Sequence, residues 1–105
     1  MKVYNKLVRD KIPDIIAAQG KSCDFRMLTD TEYLEALDKK LDEELAEYHE
    51  SGSVEELADL LEVIYAIARA KCCPVDEVRR TKICERGGFT KKIMLLSVRG
   101  DDDES

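Results

Sequence analysis

The sequence predicts a mainly α-helical fold, in which an antiparallel helical hairpin is completed to a four-helix bundle by oligomerisation. Apolar residues recur at helical spacing in two central runs, and the short turn Ser51-Gly52 separates those runs. Charged residues make up 38% of the 105 residues, and the chain has no tryptophan. A chain of this length buries only a modest core. Such a surface-rich composition therefore favours a core that two or more subunits share.

The first predicted helix is short and spans residues 11–19. Asp10 is the expected N-cap residue, and Pro13 falls in the first turn, where its missing N–H removes no hydrogen bond. Gly20 is expected to end this helix, because glycine adopts the left-handed conformation of a helix C-terminus without strain.

The longest predicted helix follows Thr29 and runs to about residue 50, or roughly 30 Å at 1.5 Å per residue. Thr29 and Glu32 have the spacing of a capping box, in which the two side chains cap each other's backbone N–H groups. Leu37, Leu41 and Tyr48 belong to an apolar series with a three-four spacing, and Glu44 occupies the next position of that series. The sequence therefore places a carboxylate on the buried face of this helix.

A second capping box, Ser53 with Glu56, predicts another helix over residues 54–70. If Glu56 closes that box, its carboxylate is occupied by the cap and is not free for a ligand; both alternatives are open at this point. The apolar stripe of this helix consists of Val54, Leu57, Leu61, Ile64 and Ala68.

The remaining chain predicts one more helix and a candidate strand pair. Pro74 favours a helix start, and the helix over residues 75–85 is expected to end at Gly87-Gly88. Residues 23–28 and 93–96 are candidate strands that could pair as a small two-stranded ribbon. Residues 1–100 are predicted to form a single domain, and the acidic residues 101–105 a disordered tail.

Four acidic residues of the central hairpin are expected to converge. Glu44 and Glu47 share one helix face, as do Glu56 and Asp59, because residues three apart lie on the same side of a helix. An antiparallel hairpin about Ser51-Gly52 sets Glu47 opposite Glu56 and Glu44 opposite Asp59. Carboxylates held this close repel one another, and a hard divalent cation with oxygen ligands relieves that repulsion. The alternative is that these acids are solvated on an exposed face, and the position of Glu44 on the apolar seam argues against it.

The net charge argues against a nucleic-acid-binding protein, and the cysteine spacing argues against a cysteine zinc site. The net charge is −6, and no basic tract suggests a nucleic-acid partner. The four cysteines, Cys23, Cys72, Cys73 and Cys84, form no C-x-x-C pair and are expected to be small buried apolar residues with reduced thiols. Neither a signal peptide nor a long apolar run is evident, so the expected location is cytoplasmic, without a membrane partner.

Four segments of the chain resemble the all-α nucleoside triphosphate pyrophosphohydrolase superfamily, which includes the MazG-like and phosphoribosyl-ATP pyrophosphohydrolase-like proteins. These segments are YNKLVRDKIP at 4–13, EELAE at 43–47, ELAD at 56–59 and KICERGGF at 82–89. One departure is that eight residues separate Glu47 from Glu56, fewer than the family usually has.

The resemblance implies Mg²⁺-dependent cleavage of a nucleoside triphosphate to a monophosphate and pyrophosphate, with Mn²⁺ as a substitute ion. It implies a homodimer or homotetramer in which helices of two subunits form each bundle. Carried over by position, the metal ligands are Glu44, Glu47, Glu56 and Asp59. Glu43 matches the first acid of the motif, as a ligand or as a base that orients water.

Cleavage of a nucleoside triphosphate requires a base and cationic residues in addition to the metal ligands. Phosphoanhydride cleavage needs an in-line water and neutralised phosphate charge. Glu43 or Glu47 could accept the water's proton. Four cationic residues are candidates for the remaining phosphates: Lys82 and Arg86, which share a helix face, and Arg9 and Lys6 near the N-terminus. Each is equally typical of a solvated surface charge. His49, near a helix end, is expected to be a surface residue.

Two other functions fit the same sequence. One is a phosphoribosyl-ATP pyrophosphohydrolase of histidine biosynthesis, which shares the acids and differs in substrate from an enzyme that removes unwanted nucleotides from the pool. The other is a non-catalytic helical dimerisation or regulatory module. The sequence does not distinguish base or sugar preference.

Overall fold

The computed structural model describes residues 1–100 and contains four α-helices in that range. They are α1 (Ile12–Ala18), α2 (Asp30–Ser51), α3 (Val54–Ala70) and α4 (Val75–Arg86). The mainly α-helical class is therefore confirmed. The predicted tail at residues 101–105 lies outside the described residues.

The hairpin of α2 and α3 is the central feature, and its ends follow from local sequence. The Thr29 side chain accepts a hydrogen bond from the Glu32 N–H, and the Glu32 carboxylate accepts one from the Thr29 N–H, so the predicted capping box is confirmed. Gly52 ends α2 in the left-handed conformation, with φ 66°. A residue with a Cβ would be strained there, which explains the glycine.

The seam between α2 and α3 holds the buried residues of the hairpin. Leu37 on α2 is 2% exposed and Val63 on α3 is 8% exposed. Glu44 lies in the same seam and is only 5% exposed, as its place in the apolar series predicted. A buried carboxylate between two packed helices is costly unless something compensates its charge.

The apolar stripe predicted for α3 is mostly exposed in the chain. Its exposed fraction is 72% at Val54, 45% at Leu57 and 50% at Leu61, whereas Ala68 is buried. The chain by itself therefore leaves much of this stripe uncovered, in line with the expectation that its core is shared between subunits. Because α3 is apolar on more than one side, α2 covers only the side that carries Val63, and the other side is left open.

The start of α1 also differs from the prediction. The N-cap residue is Lys11 rather than Asp10, and no side chain caps the helix. The end at Gly20 is as predicted, with φ 78°. A seven-residue helix is too short to be stable alone, so α1 depends on its surroundings more than on its caps.

The predicted two-stranded ribbon is wrong. Neither residues 23–28 nor residues 93–96 form a strand, and the described part of the chain contains none. An isolated pair of strands is only marginally stable in water. Ile93, Met94 and Leu96 are instead 78%, 80% and 89% exposed, so no packing stabilises a strand there.

The expectation of buried cysteines is also wrong. All four are free thiols and all are exposed. Cys23 precedes α2 in a segment without regular structure, and Cys72 and Cys73 follow the end of α3. Cys84 lies on α4, which has no buried residue. None of the four lies in the α2–α3 seam, which is where burial occurs in this chain.

The chain divides into two compact units, one comprising Met1–Pro74 and the other beginning at Val75. The first unit contains α1 and the α2–α3 hairpin, and it carries the acids that the sequence analysis singled out. The second contains α4 and the segment after it. No helix within residues 1–100 is long and apolar enough to cross a membrane.

Candidate metal centre

Glu44 is the buried centre of the acidic site. Its Oε1 lies 3.4 Å from the Lys40 ammonium, while its Oε2 is buried and has no hydrogen-bond partner among the described residues. Burial raises the pKa of the Glu44 carboxyl above its ordinary value, Lys40 opposes that rise, and neighbouring Glu47 adds to it. Glu44 therefore presents one oxygen that is desolvated and accepts no hydrogen bond.

Glu56 on α3 contributes a second such oxygen. The Ser53 side chain accepts a hydrogen bond from the Glu56 N–H at 3.3 Å, so Ser53 caps α3 as predicted. The return bond is absent, because the Ser53 N–H donates to the Ser51 hydroxyl at 3.2 Å. The capping box is therefore half-formed, and Glu56 Oε2 is buried without a partner in the described structure. The alternative that the cap occupies this carboxylate is wrong.

The two helices bring five carboxylates together, and we call them the acidic cluster: Glu43, Glu44, Glu47, Glu56 and Asp59. Glu44, Glu56 and Asp59 offer oxygens that all lie within 4.8 Å of one another. Glu43, Glu44 and Glu47 form a second set under the same distance. The predicted approach of Glu44 to Asp59 is therefore present, and Glu44 belongs to both sets.

Three cations face the acidic cluster. Arg9 donates a hydrogen bond to Asp59 Oδ1 at 2.5 Å. This bond is the main reason that the pKa of Arg9 lies above its ordinary value. Lys6 Nζ lies 3.5 Å from Glu43 Oε1, and Lys40 Nζ lies 3.3 Å from the same oxygen. Lys6 and Arg9, predicted as phosphate-binding residues, thus contact members of the acidic cluster, and Arg9 contacts the candidate metal ligand Asp59.

The donors of the acidic cluster suit a divalent metal ion. With all groups charged, its five carboxylates exceed the three facing cations by two negative charges. That excess favours the binding of a divalent cation. Carboxylate oxygens are the ligands that Mg²⁺ and Mn²⁺ prefer. The unpartnered oxygens of Glu44 and Glu56 are the two that need such an ion most.

The other predicted residues lie elsewhere. Lys82 and Arg86 are exposed on α4, in the second unit, and their role stays a prediction. His49 is exposed in the last turn of α2, as expected for a surface histidine.

Lys40 is the site residue that the sequence analysis did not assign. Its side chain is 18% exposed and lies between Glu43 and Glu44. The sequence does contain a signal for these ion pairs. Lys40 precedes Glu43 by three residues and Glu44 by four, which is the spacing of ion pairs on one helix face.

Comparison with known proteins adds a partial relative. An uncharacterized protein of Mycolicibacterium smegmatis is 57% identical to this chain over 42 residues. That match covers 40% of this chain and 43% of the relative. No family model matches the chain, and no solved structure matches it.

Proposed function

We propose that this chain is a divalent-cation-dependent nucleoside triphosphate pyrophosphohydrolase of the all-α superfamily that its motifs resemble. It would release a nucleoside monophosphate and pyrophosphate, in the cytoplasm, as part of clearing unwanted nucleotides. The observation that carries the proposal is that Glu44 on α2 and Glu56 on α3 each bury an unpartnered oxygen and offer carboxylate oxygens within 4.8 Å of each other.

In the proposed site, Glu44, Glu56 and Asp59, whose oxygens lie within 4.8 Å of one another, hold the ion, which is Mg²⁺ or Mn²⁺. Glu47, which approaches Glu44, lies beside the ion. Once bound, such an ion neutralises phosphate charge and lowers the pKa of water near it. The α2–α3 hairpin keeps the carboxylates in place, because caps at Thr29 and Ser53 fix where both helices begin. Such preorganisation means that the carboxylates need little rearrangement when the substrate binds.

Two acids remain candidates for the base, and their surroundings differ. Glu43 Oε1 already accepts from both Lys6 and Lys40, at 3.5 and 3.3 Å. No lysine or arginine within residues 1–100 forms an ion pair with Glu47. We therefore assign proton acceptance from the attacking water to Glu47, and the positioning of the two lysines to Glu43.

The test is pyrophosphate release from a nucleotide panel, measured with and without Mg²⁺. The panel contains dUTP, dCTP, the standard ribonucleoside triphosphates and phosphoribosyl-ATP. Metal-dependent release from any triphosphate supports the proposal, and a preference for phosphoribosyl-ATP would assign the chain to the histidine-pathway activity instead. No release from any member would contradict an enzymatic role.

A non-catalytic helical module is the second candidate, and the ion pairs favour it. Arg9 with Asp59 and Lys40 with Glu44 are what a structural salt-bridge network would contain. The unpartnered oxygens count against it, because a network built for stability satisfies its buried groups.

We further propose that two copies of the chain assemble so that their α2–α3 hairpins form a four-helix bundle, as a homodimer or as half of a homotetramer. The exposed stripe of α3 supports this, because Leu57 and Leu61 leave apolar surface that a second copy would cover.

A further inference from the structure

The N-terminal segment reaches both helices of the hairpin at the acidic cluster. We call residues 4–11 the strap. Lys6 contacts Glu43 on α2 at 3.5 Å, and Arg9 contacts Asp59 on α3 at 2.5 Å. Between them, Leu7 is half-buried, whereas Lys6 and Val8 on either side are exposed. The strap is therefore held by two ion pairs and one partly buried side chain.

Arg9 and a metal ion at the proposed site would compete for the same carboxylate. Asp59 Oδ1 accepts the Arg9 hydrogen bond, and Asp59 is one of the three residues whose oxygens lie within 4.8 Å of one another. A divalent cation held by Asp59 repels a guanidinium that is bonded to the same carboxylate. Binding of the metal and docking of the strap should thus weaken each other by the same factor.

Arg9 and Lys6 together have the chemistry of a phosphate site. A guanidinium that pairs with a carboxylate fits phosphate oxygens through the same donor geometry. The Lys6 ammonium suits phosphate as a point charge. Their side chains are 59% and 45% exposed, so they can move without disrupting a core.

We propose that the strap is a latch that exchanges carboxylates for phosphates. Without metal, Lys6 and Arg9 neutralise part of the acidic cluster and hold the strap on the hairpin. Metal binding releases Arg9 from Asp59, and Arg9 then binds a phosphate group of the triphosphate beside Lys6, which Glu43 holds in place. This inference rests on the proposed function, because it requires the metal site.

The first experiment measures Mn²⁺ binding by electron paramagnetic resonance for wild type, Arg9→Gln and Arg26→Gln. Arg26 is the matched control, because it pairs with Glu32 at 3.0 Å, is 67% exposed and lies outside the acidic cluster. Loss of the competing charge should tighten Mn²⁺ binding about fivefold in Arg9→Gln. Arg26→Gln should bind Mn²⁺ as wild type does.

Two results of that experiment would overturn different statements. Wild type that binds no Mn²⁺ would remove the proposed metal site, and the latch with it. Wild type that binds Mn²⁺ while Arg9→Gln binds it equally or more weakly would overturn the latch and leave the proposed function standing. The same tightening in both variants would also overturn the latch, because it would be an effect of overall charge.

A second experiment follows the strap itself by amide hydrogen exchange over residues 4–11. Saturating Mn²⁺ should speed exchange there, and inorganic tripolyphosphate, added with Mn²⁺ in excess, should slow it again. Arg9→Gln should already exchange fast without metal and should bind tripolyphosphate about tenfold more weakly than Arg26→Gln. The latch would be overturned if Mn²⁺ did not change the rate of amide hydrogen exchange in the strap. It would also be overturned if the two variants bound tripolyphosphate equally well.

Discussion

Glu44 on α2 and Glu56 on α3 each bury one carboxylate oxygen that has no hydrogen-bond partner within the described residues, and the two side chains offer oxygens within 4.8 Å of each other. Unsatisfied buried polar atoms are rare in native proteins and call for an explanation. The cation proposed for this site would explain both at once. It would also account for the position of Glu44, which interrupts an apolar series and is buried in the α2–α3 seam.

Addition of metal should stabilise the protein. An ion that binds only the folded state shifts unfolding by mass action, by ~10 °C in melting temperature at a hundredfold excess over Kd for a domain of this size. We expect this rise with Mg²⁺ or Mn²⁺ in a thermal melt. Calcium should bind but support little turnover, because its looser coordination positions water poorly. A melting curve that millimolar Mg²⁺ leaves unmoved would argue against the metal site.

Neutralising single ligands should separate activity from stability. Glu44→Gln and Asp59→Asn keep side-chain volume and each remove one negative charge from the acidic cluster. The metal-free protein should be as stable as wild type or more so at Glu44, where burial already disfavours the charged form. Pyrophosphate release should fall about a thousandfold, because the metal's stabilisation of the transition state is lost.

Glu35→Gln is the matched control for both variants, because Glu35 is exposed on α2 and is not a member of the acidic cluster. Glu32 serves less well, since it caps α2. Turnover of the Glu35 variant should stay near that of wild type. If the Glu44 and Asp59 variants instead lose stability in proportion to activity, the acids form a structural salt-bridge network.

The exposed stripe of α3 should mediate self-association. Light scattering at micromolar concentration should give a dimer or tetramer rather than a 12.0 kDa monomer. Leu61→Glu places a charge on a residue that is 50% exposed in the chain. The variant should shift the protein to monomer, while the same change at Val78, equally exposed on α4, should not. A folded wild-type monomer would exclude the shared bundle.

Low pH should destabilise the N-terminal end of α2, because it protonates Glu32. Hydrogen bonds from Arg26 and from the Thr29 N–H lower the pKa of Glu32 to about 2, from its ordinary value of 4.5. A lowered carboxyl pKa means that its stabilisation is full above 4.5 and is lost as the pH falls towards 2.

The Glu32→Gln variant provides the measurement, because glutamine can still cap the helix but cannot form the ion pair with Arg26. Wild type should be the more stable protein at neutral pH. The difference in melting temperature should shrink between pH 4.5 and about 2. A difference that does not change over this range would mean that the ionised carboxylate contributes no stability.

The helices of the hairpin were predictable because their signals are local. The capping box of Thr29 and Glu32 begins α2, and Gly52 ends it. Both signals involve only neighbouring backbone groups, and both helix ends lie where the sequence pattern predicted them. The seam position of Glu44 was equally readable, since helical periodicity assigns a face to each residue. The approach of Glu44 to Asp59 then required only an antiparallel turn.

Other features depended on partners that a pattern cannot identify. The sequence contains a capping box at Ser53 and Glu56, yet the Ser51 hydroxyl takes the Ser53 N–H and leaves the Glu56 carboxylate free. The candidate strands at 23–28 and 93–96 form no ladder in the described structure, because a strand exists only when another pairs with it. The cysteines were expected to be buried and are exposed for a similar reason, since burial is a property of packing.

The sequence by itself determined the helical class, the hairpin about Ser51-Gly52 and the convergence of acids upon Glu44, because each follows from residue spacing within a helix or across one tight turn. Only the tertiary structure decided which side of α3 meets α2, which carboxylate oxygens are left without partners, and that Lys6 and Arg9 reach Glu43 and Asp59. The Arg9–Asp59 contact joins residues 50 positions apart. Helical periodicity does not predict a contact between residues so far apart in sequence, because the contact depends on how an irregular segment crosses the folded hairpin.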